Sequence, residues 1–183
     1  LQQVVGVVGE AHERLVQLLT YMNTEVNDKN LFADQTHIWA FVDWSAELNG
    51  DTPEARRATQ FEYYLAYRDA AFLLRQMGDT AHAEQTEHRA ALLKEASQKY
   101  LLDPATGSFG NRWQTNSIAV FSGAADSSQY GSIWDHSLSS VGREYTGLFM
   151  TPYYNYYIIS AMAETGHRTQ ALDWIRKYWG GMV

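Results

Sequence analysis

TPEARRATQFEYYLAYRDAAFLLRQMGDTAHAEQTEHRAALLKEASQKYL, residues 52–101, is the stretch that decides the fold. Thr52 suits a helix N-cap, and Pro53 is tolerated at the first helical position because its missing N–H is not needed there. The first helix is apolar and stops at Gly78, whereas the second begins at Thr80 and is amphipathic. The stretch therefore predicts a helical hairpin with an enclosed apolar helix and a more polar outer helix.

The same unit recurs along the chain as a long loop, an apolar helix, a short glycine-containing turn and a more polar helix. Apolar residues spaced three and four apart predict further helices over residues 10–26, 113–122, 128–138, 152–165 and 169–179. Convincing strand alternation is absent from the sequence. The pattern predicts an all-α fold of repeated hairpins, with no internal domain boundary over residues 1–183.

The long loops precede the apolar helices and cover residues 30–51, 103–112 and 139–151. If the apolar helices all run in the same direction, these loops gather at one end of the fold. Long loops on a rigid scaffold are where functional residues concentrate. We therefore expect a site at this end of the molecule.

Aromatic side chains alternate with acids, amides and hydroxyls in these loops, which is typical of a sugar site with apolar walls and a few directed polar groups. Carboxylates among such aromatics also suit glycoside hydrolysis. The candidate substrate-binding residues are Trp39, Asp43, Trp44, Asn111, Trp113, Gln114, Tyr145 and Thr146. Each has a structural alternative: Asp43 could cap a turn, and the tryptophans could be packing residues.

Composition excludes several other classes of function. The 183 residues carry 14 basic and 21 acidic side chains, a net charge of −7, and no basic run that would favour nucleic acid or an anionic membrane. There is no cysteine, no apolar run of about 18 residues and no signal-peptide pattern at the start. The compartment stays open between cytoplasmic and periplasmic or secreted. Neither a phosphate-binding motif nor a helical histidine pair is present, so no cofactor and no metal is expected.

Three motifs resemble one known family. They are Phe41-Val42-Asp43-Trp44 followed by Thr52-Pro53, the turn at residues 106–111 followed by Gln114-Thr115, and the Thr-Gly-x-x-x-Thr-x-Tyr segment at residues 146–153. Their order and spacing are similar to the α-L-rhamnosidases of the six-hairpin glycosidase superfamily. The resemblance implies an (α/α)6 toroid and an inverting hydrolase that removes terminal rhamnose from glycosides or polysaccharides.

The resemblance also implies what the chain contributes. Its roughly seven predicted helices correspond to about half of such a toroid, the central to C-terminal part of the catalytic domain. The general acid of the family is expected upstream of this sequence and the base downstream of it, so the chain alone is expected to be inactive without the remainder of the same polypeptide. Sugar binding then rests chiefly on Asp43 and Trp44.

Two alternatives remain open. Other six-hairpin enzymes cleave glucosides or uronides, and the sequence does not separate these substrates well. A non-catalytic helical-repeat module that binds a peptide or protein is also compatible with the pattern. Such a module predicts aromatic residues dispersed along the helix bodies, whereas a sugar site predicts that Trp39, Trp44, Trp113 and Tyr145 converge at one end.

Overall fold

The computed structural model describes residues 2–33, 37–141 and 151–182. Within these ranges the α-helices are α1 (Gln2–Thr24), α2 (Pro53–Gln76), α3 (Thr80–Tyr100), α4 (Trp113–Ser122), α5 (Tyr130–His136), α6 (Asn155–Glu164) and α7 (Arg168–Trp179). Short 3₁₀ turns lie at Ser127–Gln129, Leu138–Ser140 and Gly180–Met182. β-Structure in the described ranges is limited to isolated bridges. The all-α prediction is confirmed.

The helices form two layers, as the hairpin pattern predicts. Helix α4 packs between α2 and α6, and these three form an inner row. Helix α3 lies along α2 and α7 along α6 on the outer side. Nearly all of α4 is buried, and this enclosed helix carries polar side chains, among them Gln114, Thr115, Asn116 and Ser117, as well as apolar ones.

The predicted start and stop signals act as expected. The Thr52 hydroxyl accepts a hydrogen bond from the Ala55 backbone N–H at 3.0 Å, and Pro53 occupies the first turn of α2. Gly123 ends α4 in the left-handed region with φ of 76°. Because only glycine adopts this conformation without strain, the chain turns sharply there.

Some helix boundaries differ from the sequence predictions. Helix α1 begins at Gln2 rather than near residue 10. The valines at its start lower the helix propensity only slightly, so they do not by themselves end the helix. Helix α5 is shorter than predicted, since the turn at Ser127–Gln129 takes its first residues. Helix α6 begins at Asn155, because residues 151–154 form a turn instead of a first helical turn.

The apolar core consists of two clusters. The larger one extends from α1 to α6 and includes the edge-to-face pair Phe61 and Phe109, with ring centroids 5.1 Å apart. The smaller one joins α4, α6 and α7 around Trp113, Ile158 and Trp174. Among the described helices, none has both the length and the apolar character that a membrane span requires.

Candidate functional site

The loop before α2 presents a buried carboxylate to the other two loops. Asp43 is only 2% exposed. Its Oδ1 accepts hydrogen bonds from the Thr151 hydroxyl at 2.6 Å and the Trp44 backbone N–H at 2.9 Å. Its Oδ2 accepts from Gln114 Nε2 at 2.9 Å and from the Thr151 backbone N–H at 3.3 Å. One side chain thus joins the loop before α2 to the first turn of α4 and to the segment that precedes α6.

A second set of hydrogen bonds strengthens the same junction. Ser45 Oγ accepts from Arg112 Nη2 and from Gln114 Nε2, both at 3.3 Å. Arg112 and Gln114 are buried, Gln114 with 1% exposure. Burial lowers the pKa of the Arg112 guanidinium, against the opposing charges of nearby carboxylates, chiefly Glu47. We call Asp43, Ser45, Arg112, Gln114 and Thr151 the loop junction.

The first turn of α2 holds the start of α4. Glu54 is buried, and its Oε1 accepts from the backbone N–H groups of Asn111 and Arg112, both at 3.1 Å, and from the Thr115 hydroxyl at 2.6 Å. Its Oε2 accepts from Arg57 Nη1. A carboxylate at a helix N-terminus satisfies donors that the helix itself leaves unpaired. Glu54 therefore fixes α4 against α2 beside the loop junction.

An aromatic surface lies next to the buried junction. Trp39 and Trp44 are 62% and 61% exposed, and Phe41 lies between them in sequence and is also exposed. The ring centroid of Phe41 is 5.6 Å from Trp39 and 4.9 Å from Trp44, and the two tryptophans are 6.3 Å apart. We call Trp39, Phe41 and Trp44 the aromatic platform. It offers apolar faces to solvent at the end of the molecule where the loops meet.

The other predicted site residues occupy different positions. Trp113 is buried in the smaller core cluster, and its Nε1 donates to Ser140 Oγ at 2.7 Å. Asn111 is exposed on the loop before α4. Tyr145 and Thr146 lie outside the described residues. The structure therefore brings Trp39, Asp43, Trp44 and Gln114 to one region and directs Trp113 into the core.

An acid on α2 was not predicted as a candidate. Burial raises the pKa of Glu62 to about 8. Burial raises the pKa values of Tyr154 and Tyr157, and the charge of Glu62 contributes to both shifts. Within the described part of the chain, the buried Tyr154 hydroxyl has no hydrogen-bond partner. With a pKa of about 8, the Glu62 carboxyl on α2 is protonated at neutral pH.

Sequence reasoning also missed the structural roles of Glu54, Ser45 and Thr151. An acid directly after Thr-Pro, in the first turn of a predicted helix, is the one signal that could have indicated Glu54. Ser45 carries no comparable local signal, and Thr151 belongs to the motif at residues 146–153, which does not reveal its contact with the distant Asp43. A surface depression of about 840 Å³ lies elsewhere, between residues 28–30 and α3.

The inner row of parallel helices, the outer helices and the shared loop end define a segment of a six-hairpin toroid. Comparison with solved structures agrees with this assignment. The chain is similar to a rhamnosidase from Klebsiella oxytoca with rhamnose bound, at 25% identity and a TM-score of 0.71 over 87% of this chain and 30% of that chain. It is also similar in fold to a GH78 family rhamnosidase of Bacillus sp. GL1, at 21% identity and a TM-score of 0.78 over 96% of this chain and 19% of that chain.

These matches confirm the resemblance inferred from the motifs: the chain is α-L-rhamnosidase-like. It spans less than a third of the length of either matched structure. No protein-family model and no curated protein sequence matches it.

Proposed function

We propose that this chain forms part of the catalytic domain of an inverting glycoside hydrolase that removes terminal α-L-rhamnose from glycosides or polysaccharides. The observation that carries the proposal is the exposed aromatic platform beside the loop junction, in a chain similar to a rhamnosidase with rhamnose bound. Trp39 and Trp44 would stack on the C–H faces of the sugar, since aromatic walls with few polar groups are the usual form of such sites.

The loop junction has a positioning role in this proposal. Both Asp43 oxygens accept hydrogen bonds from protein donors, one of them the backbone N–H of Trp44. A carboxylate held in this way is poorly placed to exchange a proton with a substrate. Asp43 would therefore orient Trp44, and the acid and base of an inverting mechanism would be other carboxyl groups, separated widely enough to admit a water molecule.

The alternative of a helical-repeat binding module is less well supported. It predicts that the candidate aromatics are dispersed along the helix bodies, whereas Trp39 and Trp44 lie together on the loop before α2, although exposed aromatics such as Phe72 are also present on helices. A six-hairpin hydrolase for a glucoside or uronide has the same scaffold and the same platform. The choice of sugar is therefore a matter for direct measurement.

Sugar titration tests the binding step. We expect L-rhamnose to change the tryptophan fluorescence of the purified chain, with D-glucose and D-glucuronate much weaker. Trp39→Ala and Trp44→Ala should each weaken rhamnose binding by about tenfold, because each removes an aromatic contact worth roughly 1–2 kcal/mol. Phe72→Ala, which removes an aromatic ring exposed on α2, is the matched control. Unchanged affinity in both tryptophan variants, or equal affinity for all three sugars, would contradict the proposal.

The stereochemistry of hydrolysis tests the reaction. The protein that carries this chain should release β-L-rhamnose first from an aryl α-L-rhamnoside, and proton NMR spectra recorded during the reaction distinguish this anomer from the α form. Initial release of the α anomer would exclude inversion. Cleavage of an aryl glucoside or glucuronide in preference to the rhamnoside would instead favour the alternative substrates.

A further inference from the structure

Three potential metal ligands from two distant parts of the chain meet at the far end of α2. Asp79 is the N-cap of α3, His82 lies in the first turn of α3, and His12 lies on α1. Asp79 Oδ2 is 2.7 Å from His12 Nε2 and 2.7 Å from His82 Nδ1. One potential ligand atom from each residue lies within 4.8 Å of the others. We propose that His12, Asp79 and His82 bind a divalent transition metal ion, with Zn²⁺ as the best fit.

The types of ligand atom determine which metal ion fits this cluster. Two imidazole nitrogens and one carboxylate oxygen suit Zn²⁺, Co²⁺ and Ni²⁺, whereas Mg²⁺ and Ca²⁺ prefer oxygen ligands. Three protein ligands leave a fourth tetrahedral position for water. The side chains are 33%, 19% and 48% exposed for His12, Asp79 and His82, so that solvent reaches the cluster and an ion can enter.

The Asp79 carboxylate is prepared for this role by its surroundings. Its Oδ1 accepts the backbone N–H of His82 at 3.1 Å, which fixes the side chain as the cap of α3 and leaves Oδ2 facing both imidazoles. His12 Nε2 and His82 Nδ1 both face Asp79 Oδ2, beside which an ion would bind.

The site is separate from the loop junction. Helix α2 has 24 residues and therefore spans about 36 Å at 1.5 Å per residue, with Thr52 at one end and Asp79 beyond the other. The described contacts of α1 near its C-terminal end include hydrogen bonds from Tyr67 and Arg89 to Asn23. A metal ion at His12 would attach the middle of α1 to the turn between α2 and α3, which predicts a structural role that is independent of sugar binding.

A hydrogen-bonded cluster without metal is the competing explanation, and direct titration separates the two. The probe is ZnCl₂ added to the purified, EDTA-treated chain and followed by isothermal titration calorimetry. We expect one ion per chain and a rise in Tm of about 5–10 °C at free zinc about a hundredfold above Kd. With CoCl₂ we expect the visible absorption bands of a tetrahedral complex. Binding should weaken at acidic pH, because protons compete with the ion for the imidazole nitrogens.

Variants assign the ligands. His12→Ala and His82→Ala should each weaken zinc binding by more than about a hundredfold, since loss of even an outer-shell partner costs about 10- to 100-fold. Asp79→Asn should do the same while keeping the helix cap, because asparagine caps about as well as aspartate. His88→Ala is the matched control, as His88 is an exposed histidine six residues after His82 on α3.

Circular dichroism spectra of all four variants show whether the helices are retained. The proposal is overturned if calorimetry detects no zinc binding, if the spectrum with cobalt shows only the hydrated ion, or if His88→Ala reduces affinity as much as His12→Ala.

Discussion

The Asp43 carboxylate is the residue on which the loop end of the molecule depends most. It receives four hydrogen bonds from Trp44, Gln114 and Thr151 while almost fully buried. A buried charge is tolerated only when donors surround it, and the removal of its charge leaves those donors without a strong acceptor. Its role is therefore to hold the backbone of Trp44, the first turn of α4 and Thr151 in a fixed arrangement.

Asp43→Asn tests this role. The amide keeps the shape of the side chain but turns an NH₂ group toward donors that need an acceptor, so we expect a loss of about 2–4 kcal/mol in the free energy of unfolding. Urea denaturation measures it. Asp51→Asn removes the same charge from the same loop, but Asp51 is exposed and, among the described residues, its side chain pairs with Arg56, so its effect should stay below about 1 kcal/mol. Equal losses in the two variants would contradict the assignment.

Glu62 makes the stability of the fold depend on pH. Burial raises its folded-state pKa from 4.5 to about 8, so the folded state binds the proton more tightly than the unfolded state. The contribution of Glu62 to the free energy of unfolding is therefore most favourable below pH 4.5, and it falls as the pH rises from 4.5 to about 8. Each unit of pKa difference corresponds to about 1.4 kcal/mol.

Glu62→Gln should remove this pH dependence. Because Glu62 keeps some contact with solvent, we expect the substitution to raise the free energy of unfolding by about 1–3 kcal/mol near pH 9 and to change it little near pH 5. Urea denaturation at both pH values measures the difference. Glu95→Gln, on the exposed face of α3, is the control and should change stability equally at both. A Glu62→Gln profile parallel to that of the unchanged protein would refute the prediction.

Single residues differ in how far the sequence could predict them. Asp43 and Trp44 stand out as an acid–aromatic pair on a long loop, and the structure places both at the loop end. Thr151 lies in the motif at residues 146–153, but the motif does not predict its contact with Asp43, which is 108 residues away. Trp113 was a candidate because of its position beside a loop, yet helical periodicity alone does not decide whether the first residue of a helix faces solvent or core.

The junction between α2 and α4 depends on a close approach of backbone to carboxylate. Gly110 has φ of 67°, and a Cβ built on it would lie 2.5 Å from Glu54 Oε1. Glu54 cannot move aside easily, because Asn111, Arg112, Thr115 and Arg57 all hold its carboxylate. The glycine before α4 is therefore required both by conformation and by space.

Gly110→Ala is expected to be strongly destabilising. Backbone strain at positive φ costs about 1 kcal/mol and the steric conflict about 1–3 kcal/mol more, a total of about 2–4 kcal/mol. Gly78→Ala is the matched control, since Gly78 has φ of 83° but open space around its Cβ position. This substitution should cost only the backbone strain of about 1 kcal/mol. Thermal unfolding of both variants measures the difference, which would vanish if the contact with Glu54 were unimportant.

Helices with local signals at both ends were predicted well. The bounds of α4 agree with the prediction, because its buried sequence stops at a glycine. Helix α6 was predicted too long, since Thr151 is drawn into hydrogen bonds with Asp43 and the turn around residues 151–154 follows from that contact. Local periodicity cannot report a boundary that a distant residue imposes.

Two sets of hydrogen bonds attach α2 and the loop before it to other parts of the molecule. The loop junction joins the loop before α2 to α4 and to the segment before α6 through Asp43, while α1 is attached to the second half of α2 by the Tyr67 hydroxyl, which donates to Leu19 O and to Asn23 Oδ1. The repeated hairpin pattern predicted the end at which the loops gather. The hydrogen bonds that couple them could not be predicted, because they join segments that are far apart in the sequence.

A double-mutant cycle tests whether the two sets of hydrogen bonds are energetically separate. Asp43→Asn and Thr151→Val remove the same hydrogen bond, so their combined loss of unfolding free energy should fall short of the sum by about 1–2 kcal/mol. Asp43→Asn and Tyr67→Phe share no hydrogen-bond partner, and their losses should add within about 0.5 kcal/mol. Urea denaturation of the single and double variants supplies all the values. A deviation from additivity well above about 0.5 kcal/mol for Asp43 and Tyr67 would show that the two sets of hydrogen bonds are energetically coupled through α2. The loop end would then not behave as an independent site.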